Sequence, residues 1–466
     1  MAGFKIRFLL TISTLLSIVN ANKLVFIDPN DRWQVFEGWG TSLCWFANAL
    51  GGFPDIRNQA ADLVFDISKG LGLNVIRYNI GGGDDPSHHH MRIGGDVPGF
   101  LPCENCDYDW TSDANQRWFL FAAKDRGADI FEAYSNSPPY WMTNSGCSAG
   151  GSNFADNLNF TYYDAFANYL TDVVEWYSLE GITFRTLDPF NEPTLRAWNV
   201  NGSQEGCSFN DCSAMNTIIR KVGDSLYFKG LLGNTSVSFA DENTIDQEFF
   251  TISCIENNVM SYVSQYNTHA YGGALRGELH DISKLDGKRL WMSESGFTAS
   301  EEMSASIELS KQILNDMRNL KPVAWVYWQV IEHIQPGIDW GLIGADFSNS
   351  STSLDIRLAY YGFLQYTRFI RPGYQIISSN DEDTLAAYDA INKTLVLVCT
   401  NKNNISEVWN INVTMFDIGL FSAYRTSNNN EKLTLLPNTW FIIDGIINYE
   451  SPANSITTWV FNLKLH

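Results

Sequence analysis

Phe184-Arg185-Thr186-Leu187-Asp188-Pro189-Phe190-Asn191-Glu192-Pro193 reads as a short apolar strand that ends on an amide and a carboxylate. Arg289-Leu290-Trp291-Met292-Ser293-Glu294-Ser295-Gly296 repeats the design, with Glu294 at its end. Between residues 35 and 370 such runs alternate with amphipathic helical stretches, the rhythm of parallel βα units. The strand candidates are 35–39, 75–80, 130–135, 183–189, 236–240, 262–269, 289–293 and 324–330, with helical patterns such as 163–177 and 305–320 between them. Eight strands over this length predict a (β/α)8 TIM barrel with insertions. A doubly wound sheet is the competitor, but no G-x-G-x-x-G opens a helix.

The texture changes after Arg371-Pro372-Gly373. Period-two runs at 385–388, 395–399, 409–413, 421–426, 440–443 and 456–461, separated by Asn- and Gly-rich turns, predict an antiparallel β-sandwich. A strand at 23–27 has nothing local to pair with and is expected to join it. The division is therefore 1–21 as a leader, 22–34 as a sandwich strand, 35–370 as the barrel and 371–466 as the sandwich.

The leader reading rests on Lys5 and Arg7 ahead of an apolar run from Phe8 to Val19, then Val19-Asn20-Ala21 as a small-residue cleavage site. An N-terminal membrane anchor is the alternative, but the run is short for a span. A secreted, extracellular protein without stable membrane insertion is expected. The 466 residues carry a formal net charge of −21, which argues against a phosphate-binding surface and so against a nucleic-acid partner. In an oxidising compartment the eight cysteines favour local pairs, Cys103 with Cys106 and Cys207 with Cys212. Cys44, Cys147, Cys254 and Cys399 stay unassigned. N-x-S/T sequons begin at Asn159, Asn201, Asn234, Asn349, Asn392, Asn404 and Asn412, as in a secreted glycoprotein. Aromatic residues make up 14% of the chain, which serves equally a large core or sugar stacking.

In a barrel of this kind, functional side chains sit at the C-terminal strand ends. Glu192 and Glu294 would end strands four and seven, which face one another across the mouth. Two converging carboxylates are what glycosidic cleavage needs, one protonated to release the leaving oxygen and one ionised to attack or to activate water. Singly, either glutamate is as readily a helix cap or an arginine partner. Together, at this spacing, they point to catalysis.

These residues carry a resemblance. Asn191-Glu192-Pro193 on strand four with Glu294 on strand seven resembles the clan A glycoside hydrolases. Phe36-Glu37-Gly38-Trp39-Gly40, Leu73-Asn74-Val75-Ile76-Arg77-Tyr78-Asn79-Ile80-Gly81-Gly82 and the closing Ser455-Ile456-Thr457-Thr458-Trp459 resemble glycoside hydrolase family 30. Asp109-Trp110-Thr111, Asp113-Ala114-Asn115-Gln116, Ser135-Asn136-Ser137-Pro138-Pro139-Tyr140-Trp141-Met142 and Gln204-Glu205-Gly206-Cys207 are similar to its endo-β-1,6-galactanase branch. The resemblance implies a retaining double displacement with Glu192 as acid/base and Glu294 as nucleophile, and no cofactor or metal. Asn191 would bond the sugar 2-hydroxyl. Arg77 would hold Glu294 ionised, with an ordinary core salt bridge as its alternative. His269 and Tyr271 would orient Glu294 or touch the sugar, a satisfied core histidine being the alternative for His269. Trp328 would form the floor beneath it, with Trp39 and Trp141 as further walls, barrel packing being the alternative for each.

His88-His89-His90 beside Asp84 and Asp85 is read as a substrate-facing or solvated loop, because three consecutive side chains cannot all reach one ion. Gly81-Gly82-Gly83 lacks the following Lys-Ser/Thr of a phosphate loop and is expected to let backbone approach a sugar. The expected activity is endo-hydrolysis of the β-1,6-galactan side chains of arabinogalactan proteins by a monomeric enzyme whose partner is its glycan substrate. A β-1,6-glucanase, a glucosylceramidase and a catalytically silent sugar-binding protein remain open.

Overall fold

The computed structural model describes residues 22–296, 303–335, 340–437 and 439–464. The leader reading falls on residues outside these. Eight parallel strands close a barrel: Gly38–Ser42, Val75–Asn79, Ile130–Tyr134, Thr186–Asp188, Ser236–Glu242, Val263–His269, Arg289–Ser295 and Ala324–Tyr327. The first strand pairs with the eighth through Gly38↔Ala324 and Thr41↔Tyr327. This is the TIM barrel the alternating pattern predicts.

Alternation along the strands sorts side chains between two environments. Ile76 and Tyr78 face out into the layer beneath the helices, which holds the main apolar core. Val75, Trp291, Ala324 and Val326 form a separate apolar cluster inside the barrel. Above them the barrel interior is polar. Glu132, fully buried, accepts from Arg77 Nε (3.2 Å), Thr186 Oγ1 (2.7 Å), Gln265 Nε2 (2.9 Å) and Asn267 Nδ2 (3.1 Å). These donors come from strands two, four and six, so one carboxylate cross-links the barrel wall and is itself satisfied.

Among the described residues the second domain is one hydrogen-bonded series of ten strands that doubles back over its own core. The strand Lys23–Val35 makes the fold-over. Its residues Lys23 to Phe26 pair parallel to Trp409–Asn412, and Ile27 to Val35 pair antiparallel to the strand Gln375–Ser379. The predicted runs at 385–388, 395–399, 409–413, 421–426 and 456–461 lie within or largely overlap observed strands, and 440–443 shrinks to Ile442–Ile443. Gln375–Ser379, Glu431–Leu435 and Ile446–Ser451 are strands that the alternation did not single out.

The two domains share a core. Along the strand Thr394–Asn401, Leu395, Leu397 and Cys399 face the sandwich interior, while Val396 and Val398 join the barrel's apolar layer with Leu385, Ala387 and Ile456. No helix of the described residues is long and apolar enough to cross a membrane.

Cys103 and Cys106 are disulfide-bonded as expected, but Cys212 pairs with Cys254, not Cys207. Cys212 opens the helix Cys212–Phe228, capped by Asp211, and that start turns its side chain toward the segment after the helix Ile245–Ile252. Cys207 instead points into the core and is a buried free thiol.

Because the domains share one apolar layer, calorimetry is expected to show a single unfolding transition. Leu385→Ala, on the sandwich side of that layer, is expected to cost about 2–5 kcal/mol while keeping the transition single.

Candidate active site

The chain turns sharply after strand four, with Glu192 in the left-handed region at φ +49°. A side chain there is strained, and more so before a proline. The turn is held by Glu192 N–H donating to Asp241 O (2.8 Å) and by Trp198 Nε1–H donating to Glu192 O (3.0 Å). It aims the carboxylate into the barrel mouth, where Oε1 accepts from Asn243 Nδ2 (2.7 Å) and lies 3.0 Å from His269 Nδ1.

Glu294 enters from strand seven, beside His269 on strand six. Its Oε1 accepts from Tyr271 Oη (2.8 Å) and its Oε2 from Arg77 (3.1 Å). One oxygen of Glu192, one of Glu294 and a ring nitrogen of His269 all lie within 4.8 Å of one another. Both carboxylates are nearly buried, at 6% and 5% exposed.

Below them, Arg77 reaches three strands at once. It pairs with Glu132, with Asp241 and with Glu294, and its guanidinium lies 4.0 Å from the centre of the Tyr134 ring. Asp241 also accepts from Ser293 Oγ (2.5 Å) and lies 3.0 Å from His269 Nε2. Burial alone would raise the Asp241 carboxyl, but Arg77 and His269 hold it below its usual range. Burial would favour neutral His269, yet Glu294 and Asp241 outweigh it and hold the imidazole protonated well above its usual range. For Glu294 burial is the largest influence and raises the carboxyl, against the pull of His269 and Arg77.

Above the carboxylates is a cavity of about 300 Å³ lined by Trp45, Asn191, Glu192, Trp198, Gln204, Asn243, Tyr271, Glu294, Trp328 and Trp340. Asn191 Oδ1 is buried there with no described partner. Trp45 and Trp328 meet edge to face at 5.1 Å.

The structure thus gathers Glu192, Glu294, Asn191, Arg77, His269, Tyr271 and Trp328 in one place. Arg77 lies in mid-strand rather than at a strand end. Trp39 is not part of the site. The first strand runs three residues past it, Ser42 faces inward to accept from Arg77, and parity sends Trp39 outward. There its indole donates to Ile370 O (2.8 Å) and packs against Phe36, Trp325, Phe363 and Tyr366. Trp141 is also away from the cavity, donating to Leu101 O (2.9 Å) and packing edge-on to Tyr162. The glycine run approaches the protein's own loops rather than an open cleft. A Cβ on Gly81 would lie 2.3 Å from Val97 O, and one on Gly82 2.5 Å from Pro138 O.

Sequence reasoning missed Asp241, Asn243, Trp45, Trp198, Gln204 and Trp340 as site residues. The polar run Asp241-Glu242-Asn243 at the end of strand five was the available signal for the first two.

Residues 22–343 match the family described as O-glycosyl hydrolase family 30. An endo-β-1,6-galactanase from Hypocrea rufa is 36% identical over 405 residues, covering 82% of this chain and 81% of that protein. The chain belongs to glycoside hydrolase family 30. An exo-β-1,6-galactobiohydrolase from Bifidobacterium longum subsp. longum is 26% identical; the match covers 86% of this family 30 chain but 36% of that longer protein. The solved catalytic domain of a family 30 xylanase C from Talaromyces cellulolyticus superposes with a TM-score of 0.73 at 19% identity, covering 94% of this chain and all of that one, and supports the fold.

Two buried carboxyls near the barrel make stability sensitive to pH. Burial pushes Glu242, which accepts from Thr194 and Thr251, up to about 7, and does the same to Asp113 beneath Tyr78. Each binds its proton more tightly in the folded chain than in the unfolded one. Stability contributed by the protonated form is therefore lost as pH rises from the ordinary carboxyl range toward about 7. Urea unfolding across that range is expected to show flatter pH dependence in Glu242→Gln and Asp113→Asn, by up to about 1.4 kcal/mol per pH unit for each group.

Proposed function

We propose that this family 30 hydrolase is a secreted endo-β-1,6-galactanase that retains anomeric configuration. The observation that carries the reading is the approach of Glu192 and Glu294 to within 4.8 Å at the floor of an aromatic-walled cavity. That spacing suits a nucleophile and an acid/base on one glycosidic bond. Inverting pairs stand about 6.5–9.5 Å apart to admit a water.

The partners of each carboxylate divide the roles. Both oxygens of Glu294 are held, one by Arg77 and one by Tyr271, which favours its ionised form and fixes its line of attack. The described side-chain partners of Glu192 meet Oε1, which leaves Oε2 to carry the exchangeable proton. Glu294 displaces the leaving sugar while Glu192 protonates the departing oxygen. Water, deprotonated by Glu192, then breaks the glycosyl–Glu294 ester and returns both groups to their starting state. The buried, unpartnered Asn191 Oδ1 is placed to accept from a sugar hydroxyl, a bond that gains strength as positive charge develops on the ring. Trp328 and Trp45, both lining the cavity, supply apolar ring surface suited to a hexose.

The substrate and the mode of attack follow the relatives. Two of them carry β-1,6-galactan activities in their names, and the endo-acting one is matched along most of its length. Secretion is supported by the disulfides and by the sequons. Asn201, Asn234, Asn349, Asn392 and Asn404 are exposed, while Asn159 and Asn412 are half-exposed.

The purified protein is expected to release short β-1,6-galactooligosaccharides early from arabinose-trimmed β-1,6-galactan, and nothing from β-1,6-glucan, xylan or glucosylceramide. Glucose or gluco-oligosaccharides instead would overturn the substrate while keeping the carboxylate pair. Glu192→Gln and Glu294→Gln are each expected to lower kcat by at least about 10²–10⁴-fold with unchanged circular dichroism. A fully active Glu294→Gln enzyme would refute the mechanism. Tyr271→Phe removes a bond that favours ionised Glu294 and so raises that carboxyl further. The acid limb of its kcat/KM profile is expected to move to higher pH, with a drop of about 10–100-fold at the acid side of the optimum.

A further inference from the structure

Outside the catalytic cavity, the loops that follow the second and third barrel strands bring together a cluster of side chains that the active site does not use. Asp84, His88, His90 and Cys147 each offer an atom, and all four atoms lie within 4.8 Å of one another. His88 Nδ1 lies 3.1 Å from Asp84 Oδ2, and His90 Nε2 lies 3.7 Å from Cys147 Sγ. A tetrahedral zinc ion, with bonds near 2.0–2.1 Å to nitrogen and oxygen and 2.3 Å to sulfur, sets its ligands about 3.3–3.6 Å apart. The cluster is therefore close to that arrangement already.

The surroundings orient the donors as a metal requires. His90 Nδ1 is 2.7 Å from Gly202 O, a carbonyl that can only accept. That bond places the ring proton on Nδ1 and leaves the Nε2 lone pair facing Cys147, the outer-shell arrangement common to histidine ligands. Ser148 N–H donates to Asp84 Oδ1 (3.3 Å) and Ala149 N–H to Cys147 Sγ (3.4 Å), two contacts that suit a carboxylate and a thiolate. Cys147 Sγ also lies 3.7 Å from Val200 O, the contact of an unmetallated thiol. Three consecutive histidines do not converge: His89 is exposed, while its neighbours turn toward the same point with ring centres 5.5 Å apart. Reading the run as merely a solvated or substrate-facing loop overlooked that alternate members of it share a face, and that Cys147 reaches them from another loop.

We propose that Asp84, His88, His90 and Cys147 form a structural zinc site that joins the loops following barrel strands two, three and four. Four protein donors with no position set aside for a substrate make it a closed site. The third loop is joined through the carbonyl of Gly202, and it carries Trp198 and Gln204 of the cavity wall. The ion would hold that wall in place without touching the reacting bond. The proposal stands independently of the substrate assignment.

The test uses the full-length protein, stripped with chelator, dialysed and titrated with Zn²⁺ and separately with Co²⁺. Zinc is expected to bind one per chain at micromolar concentration and to raise Tm, and cobalt to give the charge-transfer and d–d bands of a tetrahedral thiolate complex. Cys147→Ser is expected to abolish the charge-transfer band. His90→Ala is expected to weaken binding by more than about a hundredfold, beyond an outer-shell change. His89→Ala is expected to bind as the wild type does. Should Cys147→Ser fail to fold, His88→Gln, on a half-exposed ring, carries the same expectation as His90→Ala. No stoichiometric zinc binding by the wild type, or undiminished binding by His90→Ala and His88→Gln, would overturn the site.

Discussion

Arg77 is the constraint on which the upper half of the barrel depends. Its guanidinium is fully buried and meets carboxylates from strands three, five and seven: Glu132, Asp241 and Glu294. A charge in such a place is tolerated only when every donor is matched, and removing one partner of a buried pair costs about 3–5 kcal/mol. Glu132 in turn accepts from strands two, four and six. The polar core therefore acts as a cross-brace, and the position of Glu294 is set by the same bonds that keep the barrel round.

The brace also distinguishes the two glutamates. Glu294 is bonded to Arg77 inside the barrel, whereas Glu192 stands on a strained turn and is reached through Asn243 and His269. His269 lies near both carboxylates and Asp241, so the proton inventory of the site is shared among four groups. Changes at any of them are expected to be non-additive, because each alters the charge seen by the rest.

Much of this is legible in the sequence. Strand rhythm gave the barrel, and the polar ends of strands four, six, seven and eight pointed to Asn191, Glu192, His269, Tyr271, Glu294 and Trp328. The errors have physical causes. Strand one was read as ending at Trp39, but it continues to Ser42, and the parity of that extension sends Trp39 outward. Strand five was read as ending at residue 240, one short of Asp241. Trp45 lies on the helix Cys44–Leu50, and Trp198 and Trp340 lie on loops, where no periodicity reports what faces the mouth. The Cys212–Cys254 bond depends on how one helix start meets the segment beyond another, which spacing along the chain does not encode.

The strand Lys23–Val35 has a consequence for how the protein is made. It leaves the ribosome ahead of the whole barrel, yet its hydrogen-bonding partners, Gln375–Ser379 and Glu407–Asn412, are among the later segments translated. Throughout synthesis of the barrel this strand carries unpaired backbone groups, and Val25 and Ile27 have no core to enter. Closing so long a loop is entropically slow, and an unpaired strand edge invites the wrong neighbour meanwhile. The middle of the strand, at Asp28, Asn30, Asp31 and Arg32, is polar or charged, which blunts that stretch of edge during the wait, although Leu24, Phe26 and Val35 face outward beside it. Gln375–Ser379 and Glu407–Asn412 thus complete a strand that was translated before the whole barrel.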